Sequence, residues 1–565
     1  MPVRRLAFVL LLLLAALVYI AGIDWGLPSH AADPFLFGAR PIWTGKQIIE
    51  LGGGWEDQPD VGADVARNPL AHRDQPLVLN QTDAQRAQIV RRYRLFSYQP
   101  DEMITLRALA EMKPSRMQMD PKLYQYGGLW IYPVGILLRI SAALHLIDLR
   151  GDVAYYLDHP EQFGKFYVVA RAYTVLWALV GVVTVWALVR RLVAGWVYPF
   201  AAAACFIMMP VVMNMAHEAK PHLPGAVLML LAALAGSKYV ETGSRRWWMI
   251  TGALCGAAVG MVLSSVPIFL ILPAMVLLRP DRWRERIKIF ILAGCVGAAV
   301  YLLSNPYIPI NLLINREVLR SNFGNSSAMY HAQLTASGIG NALKLIAVGT
   351  GPLLAIYGAF AAILLGIRAA RNRKSAEPAQ TRRRATGILL AIPALWVLGQ
   401  CIIFATGKPA EFGRFAILPD TFLLIEAIVA IATFVPQPKL AAAFVAILWL
   451  TTALPGALYL RGFVHDAQVP TSRLALASAL AEVNASSRRP IYVSAEPAPY
   501  CLPPVDLWNW QIVLLPRGGT TPPQPTADGI LIRPVDVANE ASMRSWLWGT
   551  PISWADKPFA LSRGE

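Results

Sequence analysis

Charged residues are scarce in this sequence. Only 15% of its 565 residues are Asp, Glu, Lys or Arg, whereas 56% are hydrophobic and the mean hydropathy is +0.45. A soluble protein of this length does not need so much apolar sequence. The scarcity therefore excludes an ordinary soluble enzyme, and the membrane is the solvent for most of the chain.

Cysteine is scarce as well, and its five copies are scattered. Four of them lie inside apolar segments, and Cys501 stands alone near the C-terminus. This pattern excludes a disulfide framework and a cysteine-based metal site. The sequence also lacks an internal repeat and a glycine-rich loop of the kind that holds nucleotide phosphates.

Acidic residues are fewer than basic ones, 35 against 51, which gives a formal net charge of +16. The Lys and Arg residues cluster in short loops between apolar runs, which fits the positive-inside rule better than nucleic-acid binding. This rule places the N-terminus and the basic loop 368–384 in the cytoplasm. It predicts eleven membrane spans: residues 6–22, 166–189, 195–215, 223–237, 247–263, 266–279, 289–304, 343–367, 386–405, 416–434 and 440–459.

Three segments fall outside the bilayer in this topology. Residues 23–126 form a long external loop, and residues 461–565 form an external or periplasmic domain. The apolar segment 128–147 must return to the side where it begins, so we expect it to be an interfacial or re-entrant helix.

The expected fold class is a polytopic α-helical membrane domain, residues 1–460, followed by a small soluble α/β domain. In that second domain, the sequence predicts a helix at 472–483 and short strands at 490–495 and 512–516.

Two adjacent carboxylates, Asp101 and Glu102, follow Pro100 in the external loop and precede a helix-like run. An Asp directly before a helix can cap its first turn and interacts favourably with the helix dipole. Capping is therefore one explanation of the pair. Catalysis is the other, because the pair lies between hydrophobic segments and runs into an aromatic, Gly/Pro-marked segment, residues 124–133.

This arrangement resembles the GT-C membrane glycosyltransferases. It is most similar to family 39, which includes protein O-mannosyltransferases and the aminoarabinose transferases that modify lipid A. The resemblance covers roughly residues 1–435 and rests on the Pro-Asp-Glu after the first helix, the aromatic segment, and Arg414-Phe415 before a late helix. It implies that Asp101 is the catalytic carboxylate.

The resemblance also implies a reaction and a location. The chain would be an inverting transferase that moves a sugar from a polyprenyl-phosphate donor to a glycan, lipid or protein acceptor. The reaction would take place on the outer face of a bacterial inner membrane. We expect membrane lipids around the protein, no nucleic-acid partner and no cofactor; the sequence leaves a divalent metal open without indicating one.

Transfer from a lipid-linked phosphate needs a base, positive groups for the departing phosphate, and an apolar groove for the lipid. Asp101 is the predicted base, and Glu102 shares that role or holds the acceptor. Lys408 and Arg414, in a loop before a late span, are the predicted ligands of the donor phosphate. Snorkelling to the membrane interface, which Lys and Arg commonly do at helix ends, is the alternative for both.

A second external site is predicted at Glu218, Lys220 and His222. Family 39 members often carry an acid where this chain has His222, so either Glu218 replaces that acid or the acceptor is oriented differently. Histidine and glutamate at this spacing also resemble metal ligands, but Pro221 interrupts the helical face that they would need. We therefore expect no metal here.

A transporter or flippase of lipid-linked sugars, without covalent chemistry, is the main alternative. Transporters usually place ionisable residues near the bilayer midplane and show repeated halves. Here the candidate residues fall in external loops, and the predicted spans are nearly free of charge, with Arg139 and Arg171 as interfacial exceptions. A purely structural assembly protein would leave the clustered outer charges unexplained.

Overall fold

The computed structural model describes residues 2–563, with gaps at 54–75, 330–331, 372–377, 405–409, 469–470, 485–488, 494–496, 498, 516–528, 535–553 and 557–558. The N-terminal region contains α1 (Pro2–Ile20), α2 (Asp33–Phe37), α3 (Gly45–Gly52), α4 (Asp83–Leu95) and α5 (Glu102–Glu111). Next come α6 (Gly128–Ala143), α7 (Val153–Asp158), α8 (Pro160–Leu192), α9 (Val197–Met208), α10 (Pro210–Ala216) and α11 (His222–Thr242).

The second half of the chain is also mainly helical. It contains α12 (Arg245–Met261), α13 (Ile271–Leu277), α14 (Trp283–Ser304), α15 (Tyr307–Ile314), α16 (Arg316–Met329) and α17 (Ala336–Thr350). It continues with α18 (Pro352–Arg371), α19 (Pro378–Phe404), α20 (Ile417–Phe434), α21 (Pro438–Asp466) and α22 (Ser472–Asn484). Two 3₁₀ helices, Leu263–Leu270 and Ala410–Ala416, lie among them.

Eight helices in the described ranges are long and apolar enough to cross a bilayer: α1, α8, α11, α14, α18, α19, α20 and α21. The pair α9–α10, bent by 59°, would make nine. The structure confirms a polytopic helical membrane protein, but this number differs from the eleven predicted spans. The predicted spans 247–263 and 266–279 correspond to α12 and to the apolar stretch Leu263–Leu277, which are shorter than a full span.

The predicted span 343–367 is interrupted. α17 ends at Thr350 and α18 begins at Pro352. Gly351 between them has φ +90°, a left-handed conformation that favours glycine, and a proline lacks the N–H that would continue the helical hydrogen bonds. The sequence did not predict this break, because residues 343–367 are almost uniformly apolar on both sides of it.

α6 has 16 residues, too few for a full span, in line with the interfacial or re-entrant helix expected at 128–147. The Gly128 N–H donates a 2.8 Å hydrogen bond to Asn305 Oδ1, just after α14. A Cβ on Gly127 would overlap the Gly260 carbonyl of α12, so glycine is required for this approach. These contacts fix the aromatic segment against the ends of α12 and α14.

α11 and α20 form the centre of the helical bundle, since 83% of the apolar stretch of each is buried. α11 begins at His222, and α20 directly follows the 3₁₀ helix that contains Arg414. Both central helices therefore begin beside predicted site residues.

α20 also contains two carboxylates, Asp420 and Glu426, which are only 0% and 7% exposed. From the sequence we expected spans nearly free of charge and did not name Asp420 or Glu426. Acids within a membrane segment almost always face the interior of the bundle, and these two follow that rule.

A five-stranded sheet has the order β1-β3-β2-β4-β5. Its strands are β1 (Leu77–Val78), β2 (Pro490–Val493), β3 (Gln511–Leu514), β4 (Ile530–Pro534) and β5 (Phe559–Arg563). β2 pairs in parallel with β3 and β4, and the edge strands β1 and β5 are antiparallel to their neighbours. The predicted elements 472–483, 490–495 and 512–516 correspond to α22, β2 and β3, whereas β1, β4 and β5 were not predicted.

β1 comes from the long loop 23–126 that follows α1, so this loop and the C-terminal region share one sheet. Asn80, just after β1, donates 2.7 Å hydrogen bonds to the carbonyls of Leu507 and Trp510 and accepts one from Ile512 N. The C-terminal region is thereby joined to the loop that carries Asp101.

Candidate functional site

Asp101 occupies the position before α5 where a capping residue would stand, but its side chain makes no capping hydrogen bond. Its Oδ2 lies 3.0 Å from Lys220 Nζ and 3.0 Å from Arg414 Nη2. The carboxylate is therefore directed at two cations rather than at the first turn of the helix. Capping does not explain this side chain.

The three charged groups differ in exposure. The Asp101 side chain is 28% exposed, whereas those of Lys220 and Arg414 are 0% and 7% exposed. Burial by itself raises the pKa of Asp101, but the charges of Lys220 and then Arg414 outweigh it and hold the pKa well below its usual range. Asp101 is thus ionised at neutral pH, and its side chain remains partly accessible to solvent.

Glu102 faces the other way and is fully buried. Its two carboxylate oxygens accept hydrogen bonds from Arg171 Nε and Nη2 at 2.8 and 2.7 Å. They also accept from the backbone N–H of Ala219 at 2.7 Å and from Ser97 Oγ at 2.5 Å. These four donors leave Glu102 in a structural position, so its predicted share in catalysis stays a prediction that this geometry does not favour.

Arg171 connects this carboxylate to the end of α1. Its Nη1 donates to the carbonyls of Ile23 and Trp25 at 2.8 and 2.7 Å. The indole N–H of Trp25 in turn donates to the carbonyl of His217 at 2.8 Å. Arg171 is completely buried, and it holds Asp101 and the loop 217–221 in a fixed relation.

The predicted second external site is part of the same cluster as Asp101. Lys220 Nζ lies 3.3 Å from Glu218 Oε2 as well as 3.0 Å from Asp101. Burial is the main effect on Glu218 and raises its pKa, although Lys220 partly opposes it. His222 packs edge-on against Phe415, with ring centroids 4.8 Å apart. The sequence placed Lys220 apart from Asp101, and the fold brings them together.

His217 is not directed into the cluster. Its Nδ1 and Nε2 lie 2.8 and 3.0 Å from the carbonyls of Met213 and Ala21, and its ring stacks on Phe463. Both ring nitrogens are engaged by the backbone, so His217 is not arranged as a metal ligand beside Glu218 and His222.

Arg414 lies where the sequence predicted a ligand for the donor phosphate. Its burial and its contact with Asp101 do not fit a side chain that snorkels to water. Its guanidinium also lies 5.2 Å from the ring centroid of Phe415. Lys408, the other predicted phosphate ligand, lies outside the described residues.

An apolar groove lies beside the 3₁₀ helix Leu263–Leu270. That helix begins next to the aromatic segment, where Leu263 N donates to the Gln125 carbonyl and Tyr126 pairs with Val262. Tyr126 in turn packs against His222 of the charged cluster. The groove is lined by Val266, Pro267, Phe269, Leu270, Leu272, Pro273, Phe290, Gly294 and Trp396.

Residues 162–308 match the family model described as dolichyl-phosphate-mannose-protein mannosyltransferase. The resemblance to the GT-C membrane glycosyltransferases is confirmed. The matched residues include Arg171, the loop 217–221 and the 3₁₀ helix beside the groove. No curated protein matches the chain at significant similarity.

Solved structures with a similar arrangement are distant. The oligosaccharyltransferase AglB from Archaeoglobus fulgidus, in complex with an inhibitory peptide and a dolichol-phosphate, is 11% identical with a TM-score of 0.38. That match covers 78% of this chain and 57% of the archaeal protein, so the present chain spans just over half its length.

ArnT from Cupriavidus metallidurans is similar in two states. Bound to undecaprenyl phosphate it is 14% identical with a TM-score of 0.37, and the match covers 72% of this chain and 81% of ArnT. In the apo state it is 15% identical with a TM-score of 0.42, and the match covers 80% and 91%.

Proposed function

We propose that this protein is an inverting glycosyltransferase that uses a polyprenyl-phosphate-linked sugar on the outer face of a bacterial inner membrane. The observation that carries this proposal is the placement of Asp101 between Lys220 and Arg414, at 3.0 Å from each. A carboxylate and two cations at one partly exposed point supply the two functions that the transfer requires.

Asp101 is the general base in this scheme. The acceptor hydroxyl or amine attacks the anomeric carbon of the sugar and gives its proton to the Asp101 carboxylate. The bond between that carbon and the phosphate oxygen breaks, and the electron pair leaves with the polyprenyl phosphate. One displacement inverts the configuration, and phosphate is a good enough leaving group to need no separate acid.

Lys220 and Arg414 bind the donor phosphate and stabilise the charge that develops on it. In the absence of donor they neutralise Asp101, whose pKa they depress. When they turn toward phosphate, Asp101 loses this stabilisation and becomes more basic at the moment when a base is needed. Glu102 and Arg171 are positioning residues. Their hydrogen bonds on the buried side fix Asp101 and Lys220 relative to each other.

The apolar groove beside the 3₁₀ helix Leu263–Leu270 is the proposed place for the lipid chain. The 3₁₀ helix on one side of it begins beside Tyr126, which packs against His222 of the charged cluster, and its lining is mainly apolar. The phosphate would then lie at the charged end and the polyprenyl chain along the groove. The acceptor is a glycan, lipid or protein reached from outside.

A flippase without covalent chemistry is supported by one observation, the buried acids Asp420 and Glu426 within α20. Purified protein in liposomes distinguishes the two functions. We expect release of polyprenyl phosphate from a matching polyprenyl-phosphate sugar once an extract of cell-envelope acceptors is added. Movement of intact donor across the bilayer without such release would contradict the proposal.

The acceptor and sugar can be identified in cells. Mass analysis of surface glycans from cells with and without the protein should show one sugar missing from one class of acceptor. Purified protein and that acceptor should then restore the modification with a panel of polyprenyl-phosphate sugars.

A further inference from the structure

His465, Asp466 and Asp556 form a second cluster of ligand-type side chains, where residues 554–556 pack against the last turn of α21. One ligand atom from each lies within 4.8 Å of the others. His465 Nδ1 is 3.4 Å from Asp556 Oδ1 and 3.7 Å from Asp466 Oδ1. Ligands of one zinc ion, each about 2.0–2.2 Å from it, stand roughly 3–3.6 Å apart, so the two distances from His465 are close to that spacing.

Asp466 adds an independent observation. Its side chain is 0% exposed, and its Oδ2 accepts hydrogen bonds from Arg473 Nη1 at 3.1 Å and Asp556 N at 2.7 Å. No group in the described part of the chain donates a hydrogen bond to its Oδ1. Burying a carboxylate oxygen without a donor is unfavourable, and this oxygen is the one directed at His465.

We propose that His465, Asp466 and Asp556 bind one divalent transition-metal ion of the zinc class, with water completing its coordination. An imidazole nitrogen with two carboxylates favours zinc over calcium or magnesium, which prefer all-oxygen sites. His465 and Asp556 are 45% and 42% exposed, so the ion can enter from solvent.

The ion would clamp residues 554–556 onto the end of α21. Phe463, two residues before the site, stacks on His217 with ring centroids 4.2 Å apart. His217 precedes Glu218 and Lys220, so the clamp would stabilise the helix end that supports the charged cluster. This role is structural and does not depend on the proposed reaction.

The chain offers a matched control. His30 is also 45% exposed and lies beside a buried aspartate, Asp33, at 2.7 Å, and Asp33 also pairs with an arginine, Arg94, at 3.0 Å. The His30–Asp33 pair differs from the proposed site because no third His, Cys, Asp or Glu ligand joins it among the described residues. A zinc site that needs three ligands should therefore be insensitive to His30→Gln.

The test uses the full-length protein without a histidine tag, in lipid nanodiscs, stripped with EDTA and then exposed to zinc chloride. After gel filtration, we expect about one retained zinc per chain for the wild type and for His30→Gln, measured by mass spectrometry. His465→Gln and Asp556→Asn should lose it, with affinity reduced about tenfold or more, since even outer-shell changes cost that much.

Thermal unfolding gives the second measurement. Zinc should raise the Tm of the wild type and of His30→Gln but not that of Asp556→Asn, which keeps its backbone N–H bond to Asp466. Absence of retained zinc in the folded wild type would overturn the proposal. So would equal retention by Asp556→Asn, or an equal rise of the wild-type Tm with calcium chloride alone.

Discussion

Removing the charge of Lys220 tests whether the cation beside Asp101 belongs to the donor site. Lys220 is completely buried and contacts both Asp101 and Glu218. Lys220→Met alone leaves Glu218 without its cation, and removing one partner of a buried pair costs on the order of 3–5 kcal/mol of stability. The single variant therefore mixes a folding effect with any effect on the reaction.

The double variant Lys220→Met/Glu218→Gln separates the two effects. It removes both charges with side chains of similar size, so most of the stability should return. Asp101 keeps Arg414, but the phosphate loses one of its two cations. We expect a loss of about 2–4 kcal/mol in transition-state stabilisation, or roughly 30- to 1,000-fold in kcat/KM for the donor.

The assay measures polyprenyl phosphate released from the donor by protein in nanodiscs, with thermal unfolding run in parallel. Lys46→Met is the matched control, because Lys46 is an exposed lysine of the same loop, 23–126, as Asp101. We expect Lys46→Met to be unchanged in both measurements. If the double variant folds normally and uses the donor with wild-type kcat/KM, Lys220 has no place in the donor site.

Three further predictions concern the scaffold, the pH dependence and the topology. Arg171→Leu leaves Glu102 buried without its cation, so the free energy of unfolding should fall by about 3–5 kcal/mol in denaturant titrations. Because the folded state raises the pKa of Glu218, its contribution to stability is complete at low pH and is lost as pH rises through the raised value. Glu218→Gln should remove that part of the fall in Tm that occurs above the ordinary Glu pKa of about 4.3. A cysteine at exposed Ala479 should react with an impermeant maleimide in intact cells with a permeable outer layer, whereas one at 368–384 should not.

Local signals predicted several elements correctly. The helical periodicity of residues 472–483 predicted α22, and α4 also carries a local signal, because Thr82 caps it in a capping box with Gln85. Long apolar runs predicted the main spans, because length and hydropathy are nearly sufficient for a helix in lipid. Asp101 and Arg414 were named as partners in one reaction because of the family resemblance, and the structure places them in contact.

Features that depend on distant contacts could not be predicted. Lys220 is 119 positions from Asp101, and nothing near either residue shows that the chain brings them together. Arg171 stood out in the sequence only as a charge in an apolar run, and nothing near it indicated that Glu102 pairs with it in the interior. β1 has only two residues and exists because β3 supplies its hydrogen bonds.

The most direct test of the catalytic account is the turnover of Asp101→Asn compared with Glu111→Gln. Both acids lie at the ends of the same helix, α5, and both side chains are 28% exposed, but Glu111 pairs only with Arg107 among the described ion pairs. Asn keeps the shape of Asp101 and cannot take a proton at neutral pH. The account predicts a fall in kcat of ~10²–10⁴ for Asp101→Asn with donor binding retained, and wild-type turnover for Glu111→Gln. Sugar transfer by Asp101→Asn at the wild-type rate would contradict it.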